Sequence, residues 1–183
     1  MRIIGGRFKG RSLLGPTTRD IRPTSDRLRE TLFNILDHAY DGSVEDARVI
    51  DLFAGTGALG LEALSRGAAF GMFVDDGTEA RALLRGNIEA LGLGGLTRIF
   101  RRDATKLGAS PGLPFTLAFL DPPYAKGLGG LALTALDEGG WLAPGAVCVL
   151  EEADDAVPDL PLRFTQLERR TQGDSEIRFL RYD

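Results

Sequence analysis

Residues 48–60, Arg-Val-Ile-Asp-Leu-Phe-Ala-Gly-Thr-Gly-Ala-Leu-Gly, constrain this chain more than any other stretch. An apolar run ends on a carboxylate, Asp51, and opens into a glycine turn. Val49, Ile50, Leu52 and Phe53 are β-branched, apolar or aromatic and suit a buried parallel strand. Ala58, Leu59, Leu61, Glu62, Ala63 and Leu64 are good helix formers. The segment therefore predicts a strand, a ligand loop and the start of a helix. Gly55, Gly57 and Gly60 allow a tight turn and a close approach to the backbone.

The three glycines match the spacing G-x-G-x-x-G, and Asp75 follows at the distance of a ribose-binding acid. Asp51 argues against a dinucleotide. A carboxylate four residues ahead of Gly55 opposes a pyrophosphate seated on the helix N-terminus. It suits a cationic ligand. S-adenosylmethionine carries an ammonium and a sulfonium but no phosphate, and fits one acid at residue 51 and another on its ribose. A strand-to-helix turn without any ligand is the plain alternative.

The rest of the chain builds an α/β pattern around this unit. Residues 2–14 suggest a short hairpin turning at Gly5-Gly6 and Gly10, and Gly15-Pro16-Thr17-Thr18 breaks regular structure. From Thr24 the period becomes helical, with Leu28, Leu32, Ile35, Leu36 and Ala39 on one stripe and Phe33 and Tyr40 widening it. Thr24 or Ser25 serves as N-cap, and Asp26 complements the helix dipole. Strands are expected at 70–74, 97–101, 115–120 and 146–151, and helices at 78–91 and 128–138. Residues 163–170 and 176–182 alternate apolar and polar side chains across Gly173-Asp174, as an antiparallel pair does. This predicts an open, largely parallel sheet with an antiparallel element at one edge. Ligands of such sheets sit beyond the carboxyl ends of the strands, so Asp51, Asp75, Asp103 and Asp121 should converge there. Each alone is also an ordinary turn-former or helix cap.

A length of 183 residues suits a single domain, 1–183, with a basic arm, 1–23, appended. The net charge of −4 divides unevenly, with +5 on residues 1–30 and −9 on the remainder. Arg2, Arg7, Lys9, Arg11, Arg22, Arg27 and Arg29 can grip a polyanion, or form a solvated basic hairpin. Cys148 is the only cysteine and lies in an apolar run, which excludes an internal disulfide and suggests a buried thiol in a reducing, cytoplasmic setting. No run approaches a membrane span, and residues 1–11 lack a secretory core. The single histidine, His38, falls at a helix end, where a structural role is expected.

Asp121-Pro122-Pro123-Tyr124 follows the strand expected at 115–120. Pro122 disfavours helical geometry at Asp121, and two prolines remove two donors while fixing φ. The stiff loop can aim its acceptors at one point, and the flat face of Tyr124 can stack on a base without help from its hydroxyl. An exocyclic aromatic amine is a poor nucleophile because its lone pair is shared with the ring. Acceptors for its N–H groups help localise that pair.

This motif, together with Asp51-Leu-Phe-Ala-Gly-Thr-Gly, resembles the S-adenosylmethionine-dependent amino methyltransferases. Arg2-Ile-Ile-Gly-Gly-Arg, Arg22-Pro-Thr-Ser-Asp-Arg-Leu-Arg-Glu-Thr-Leu-Phe-Asn and Gly60-Leu-Glu-Ala-Leu-Ser-Arg-Gly narrow the resemblance to the bacterial small-subunit ribosomal RNA guanine-N2 methyltransferases of the RsmD type. It implies a Rossmann-like, seven-stranded class I methyltransferase sheet with an N-terminal β-hairpin and helix extension. It also implies cofactor contacts from Asp51, Phe53, Ala54, Gly55 and Gly57, with Asp75 and Asp76 at the ribose and Asp103 and Ala104 beside the adenine. Asp121, Pro122, Pro123 and Tyr124 become the catalytic loop, and the substrate becomes ribosomal RNA, free or in a ribonucleoprotein assembly intermediate. A monomer without a metal site is expected. One departure stands out: Gly77 occupies the place, two after the ribose acid, where the family carries a polar or acidic residue, and Asp76 is the neighbour able to replace it. N-methylation of adenine or cytosine in DNA uses the same loop chemistry, and a non-catalytic RNA-binding module is a third reading. A dehydrogenase would need a hydride-transfer acid or base that the chain does not offer.

Overall fold

A computed structural model describes residues 1–17, 24–124 and 126–183. Its centre is a seven-stranded sheet: β1 Arg48–Leu52, β2 Phe70–Val74, β3 Thr97–Phe100, β4 Phe115–Leu120, β5 Leu142–Ala153, β6 Phe164–Gln172 and β7 Ser175–Tyr182. Their spatial order is β3-β2-β1-β4-β5-β7-β6. The first five are parallel neighbours, and β7 inserts antiparallel between β5 and β6. The chain walks outward from β1 to β3 and then returns to β4 on the other side. The gap between the carboxyl ends of β1 and β4 is thus the topological switch point, where a crevice opens.

The helices are α1 Asp26–Ala39, α2 Ala58–Ser65, α3 Thr78–Ala90 and α4 Leu128–Glu138. Two apolar layers flank the sheet. Val49, Phe73, Leu117 and Phe119 point into one with Leu32, Phe33 and Leu36 of α1, Leu61 and Leu64 of α2 and Leu84 of α3. Ile50, Leu52, Val74, Ala118 and Leu120 point into the other with Leu133 and Leu136 of α4. Alternate residues of each strand serve opposite layers, so the central strands are apolar on both faces and read as continuous runs. Trp141 is fully buried in the second layer and donates from Nε1 to the Gly108 carbonyl at 2.8 Å. Cys148 is buried there too, and burial pushes its thiol well up. No helix among the described residues is long and apolar enough to cross a membrane.

Helix α1 begins as expected, with the Ser25 hydroxyl accepting from Leu28 N–H at 3.2 Å. Its stripe is narrower than the periodicity suggests, because Ile35 is half-buried and Ala39 is exposed. The N-terminal hairpin is present in a short form, with Ile3 N–H donating to the Arg11 carbonyl at 2.9 Å and Leu13 N–H to the Met1 carbonyl at 3.0 Å. It holds one antiparallel bridge, Arg2 with Ser12, around a 3₁₀ turn at Gly6–Phe8. The loop is moulded onto the end of α2, where Ser65 Oγ donates to the Gly5 carbonyl at 2.6 Å. A Cβ on Gly6 would lie 1.9 Å from the Ser65 carbonyl oxygen, a contact no side chain permits.

A buried carboxylate fastens that loop. Glu62 of α2 accepts from Ile4 N–H at 2.9 Å and Gly5 N–H at 2.8 Å, and pairs with Arg66 at 2.8 Å. The Arg29 guanidinium faces it at 3.7 Å and donates to the Arg2 carbonyl at 2.9 Å. Residues 2–5 are therefore anchored through α1 and α2.

Candidate active site

A cleft of about 880 Å³ opens at the carboxyl ends of the parallel strands, and Asp51, Asp75, Asp103 and Asp121 all line it. The convergence expected of the four strand-end acids is found. Phe53, Ala54, Gly55, Asp76, Ala104, Pro122, Pro123 and Tyr124 share the lining, but Gly57 does not.

Asp51 closes the floor. It is 2% exposed, and its Oδ2 accepts from Gly60 N–H at 3.0 Å. Burial pushes its carboxyl up to about 8, opposed by the Gly60 bond and assisted by the charge of Asp75. A buried acid held near neutrality by desolvation is suited to a cationic ligand group, whose charge would restore the ionised form. Gly60 serves packing: a Cβ there would sit 2.4 Å from the Phe73 ring.

Between Asp51 and α2 the loop is strained and cross-tied. Phe53 adopts φ 57°, a left-handed conformation that a bulky side chain takes only under constraint from its surroundings. Gly55 shares that region at φ 57°, and a Cβ on it would meet nothing nearer than 3.9 Å. Its surroundings leave room for a ligand against the backbone. The Asp75 carboxylate holds the turn, with Oδ2 accepting from Gly55 N–H at 2.9 Å and Oδ1 from Gly77 N–H at 2.8 Å. Gly77 fits this geometry because a Cβ there would stand 3.1 Å from Asp75 Oδ1. Asp76 is exposed at the rim. Asp103 accepts at Oδ1 from the Thr105 N–H and hydroxyl, at 2.8 and 2.7 Å, and these bonds hold its carboxyl below the usual range.

The Asp-Pro-Pro-Tyr loop meets a further acid that its own motif does not contain. Glu151 of β5 is 6% exposed and lines the same cleft. The Thr24 hydroxyl stands 3.2 Å from Asp121 Oδ2 and 3.3 Å from Glu151 Oε2. The Tyr124 hydroxyl bonds Ser175 Oγ at 2.6 Å and lies 3.5 Å from Glu151 Oε1. Burial, then the charge of Glu151, raises the Asp121 carboxyl well above its ordinary range. The Tyr124 hydroxyl is thus part of the site, contrary to the expectation that only its ring matters. Sequence reasoning missed Glu151, although it ends the apolar run 146–150 as Asp51 and Asp121 end theirs.

The basic residues divide. Arg7, Lys9, Arg11 and Arg27 are exposed. Arg2 is exposed with an ion pair to Asp26 at 3.6 Å, and Arg11 also donates to the Ala90 carbonyl at 2.7 Å. Arg29 must be withdrawn as an RNA contact: its side chain is 0% exposed and is engaged by Asp26 and Glu62. Arg22 lies outside the described residues. Among the described residues no cluster of three or more potential ligands could hold a metal ion.

The family model described as "Conserved hypothetical protein 95" matches residues 1–181. The chain belongs to this family. Ribosomal RNA small subunit methyltransferase D of Escherichia coli K12 is 37% identical over 174 residues, covering 94% of this chain and 85% of that protein. The yhhF structure from Escherichia coli superposes with a TM-score of 0.85 at 33% identity, over 100% of this chain and 98% of that one. An RNA methyltransferase of Salinibacter ruber, solved with S-adenosyl-L-homocysteine, shares the fold at TM-score 0.66 and 16% identity, over 88% and 94% of the two chains. This member of the Conserved hypothetical protein 95 family is a methyltransferase on a seven-stranded sheet.

One consequence of the floor carboxyl is measurable without any ligand. The folded protein keeps the Asp51 proton up to about pH 8, whereas the unfolded chain releases it near the ordinary aspartate value. Raising pH through that window therefore favours unfolding, by up to about 1.4 kcal/mol per pH unit from this group. Asp51→Asn keeps an acceptor for Gly60 and is expected to flatten the fall in melting temperature between about pH 6 and 8. Parallel wild-type and variant curves would show that the buried carboxyl is already ionised.

Proposed function

We propose that this chain transfers the methyl group of S-adenosylmethionine to the N2 amine of a guanine in small-subunit ribosomal RNA. The observation that supports this most is the single cleft joining the glycine loop under Asp51 to the Asp121–Tyr124 loop across the switch point. Asp51 receives the cofactor's cationic methionine end, the open backbone at Gly55 lies along it, and Asp75 and Asp76 face the ribose. Asp103 and Ala104 face the adenine. Bound there, the cofactor supplies an electrophilic methyl group on a sulfonium. Asp121 and the carbonyls of the Pro122-Pro123 loop accept from the guanine amine, and Tyr124 stacks on a base withdrawn from its helix. Much of the rate arises from this positioning. A monomer acting on ribosomal RNA in the cytoplasm is part of the same proposal.

The test is methyl transfer by the purified protein from labelled S-adenosylmethionine to small-subunit RNA, free and assembled, followed by nucleoside analysis. N2-methylguanosine is expected. Label on adenine or cytosine, or preference for DNA, would overturn the assignment.

Arg2, Arg7, Lys9, Arg11 and Arg27 are proposed to hold the RNA backbone at the mouth of the cleft. Each phosphate contact releases counterions, so affinity should fall steeply with salt. Replacing Arg7 and Lys9 with glutamine is expected to reduce the slope of log affinity against log salt by about 1–2 while sparing cofactor binding. An unchanged slope would make the arm a solvated loop.

A further inference from the structure

A second groove, of about 600 Å³, runs between helix α1 and the edge strand β6. It is continuous with the catalytic cleft, since Leu28 near the start of α1 and Gln172 at the end of β6 line both. Gln172 stands across the turn from Ser175, whose hydroxyl meets that of Tyr124 at 2.6 Å. The groove therefore begins beside the catalytic loop. From Leu28 to Ala39 the helix carries it about 16 Å, at 1.5 Å per residue.

Leu28, Ile35 and Ile177 form an apolar floor. On α1, Arg27, Thr31, Asn34 and His38 recur at intervals of four, three and four residues and make one exposed stripe opposite the buried Leu32 and Leu36. The last three of the stripe line the groove. Arg170, Thr171 and Gln172 of β6 form the other wall, and among the described residues its acid is Glu168. That charge is engaged, because Glu168 pairs with Arg170 and accepts from the Tyr40 hydroxyl at 2.9 Å. The Arg170 side chain is still 63% exposed and can reach an anion. An apolar floor between donor-bearing walls suits a single nucleic-acid strand, whose unstacked bases lie against apolar surface while its phosphates and riboses meet donors. The basic arm meets α1 on a different flank, through Arg29 and Asp26, so the groove is a separate surface.

We propose that the groove between α1 and β6 binds the RNA strand leading away from the target guanine, with Asn34, His38, Arg170 and Gln172 contacting its backbone. The proposal rests on the RNA-methylation assignment above. A base withdrawn into the cleft brings its backbone to the cleft mouth, and the nucleotides beside it must leave along the surface. This groove extends the cleft in a direction that offers them both donors and apolar cover.

Site-specific photo-crosslinking tests this on the full-length chain. Asn34→Cys places a thiol at an exposed groove position for an azidophenacyl label, and the native Cys148 is buried. Arg98→Cys, exposed on β3 at the opposite edge of the sheet, is the control. With small-subunit RNA, the probe at position 34 is expected to crosslink nucleotides on one side of the methylated base, and the probe at 98 to give at most a tenth of that yield, on the order of the excess expected of a specific contact. Thr31→Glu combined with Asn34→Glu should raise KM for RNA about tenfold or more, with kcat and KM for the cofactor within about twofold. Arg170→Gln should flatten the slope of log affinity against log salt by about 0.7, the value for one phosphate on a single strand. Methylated product without a crosslink from position 34, equal crosslinking from 98, or an unchanged KM in the double-glutamate variant overturns the groove and leaves the methyl-transfer assignment standing. Failure of the wild-type protein to methylate RNA overturns both.

Discussion

Glu62→Ala is expected to destabilise the folded protein by about 3–5 kcal/mol, the range for removing one partner of a buried ion pair. The carboxylate is fully buried and serves four groups: Ile4 N–H, Gly5 N–H, Arg66 and Arg29. Without it, two backbone donors lose their acceptor. Among the described residues, Arg29, 0% exposed and with Nε and Nη1 already lacking hydrogen-bond partners, then keeps Asp26 and the Arg2 carbonyl. Glu62→Gln should lose less, since its amide oxygen can still accept from one of the backbone donors. Replacing both charges, with Arg29→Met and Glu62→Leu, should recover part of the loss, because the cost lies in the orphaned charge more than in the missing attraction. Equilibrium denaturation of the unliganded variants measures all three. A loss below about 1 kcal/mol for Glu62→Ala would mean that the loop is held mainly by its apolar contacts through Ile3 and Leu13.

Asp121→Asn is expected to lower kcat by about 10²-fold or more while leaving cofactor affinity near normal. The amide preserves the shape but replaces one acceptor with a donor, facing an amine that also donates. It also cannot take the proton that the methylated nitrogen must lose. Single-turnover rates on RNA at saturating cofactor separate this chemical defect from binding. Near-normal single-turnover transfer would move the chemistry away from Asp121. Tyr124→Ala should lose about 1–3 kcal/mol of base binding through the missing ring. Tyr124→Phe keeps the ring and loosens Ser175 and Glu151, so it should affect kcat more than RNA affinity.

Several elements are legible in the amino-acid sequence alone. Strands β2 and β4 and helix α4 run over the expected residues, and β1 carries Asp51 at its carboxyl end. A parallel strand buried on both faces must be apolar throughout, and the polar residue that ends such a run marks where the strand meets the ligand edge. Ser25 is recognisable as an N-cap because capping is local. Strand β5 is longer than its apolar run suggests. It begins at Leu142, where Phe115 pairs with Leu142 and Leu117 already pairs with Val147. Pro144-Gly145 within that jog looks like a loop when read along the chain, and only pairing with β4 reveals a strand.

Local pattern determined the sheet class, the strand-end acids and the Asp-Pro-Pro-Tyr loop, since each depends on residues within a few positions of one another. Tertiary packing alone decided what the charges do. Arg29 and Arg7 look alike in a basic segment, yet Arg29 is buried against Glu62, thirty-three positions away, and Arg7 remains exposed. Glu151 became a neighbour of Asp121 because β4 and β5 pair in parallel, and Thr24 joined them from the segment preceding α1. A side chain's charge is written in the sequence, whereas its burial and partners depend on which distant segments the fold brings within a few ångströms, and these set its protonation and its chemistry.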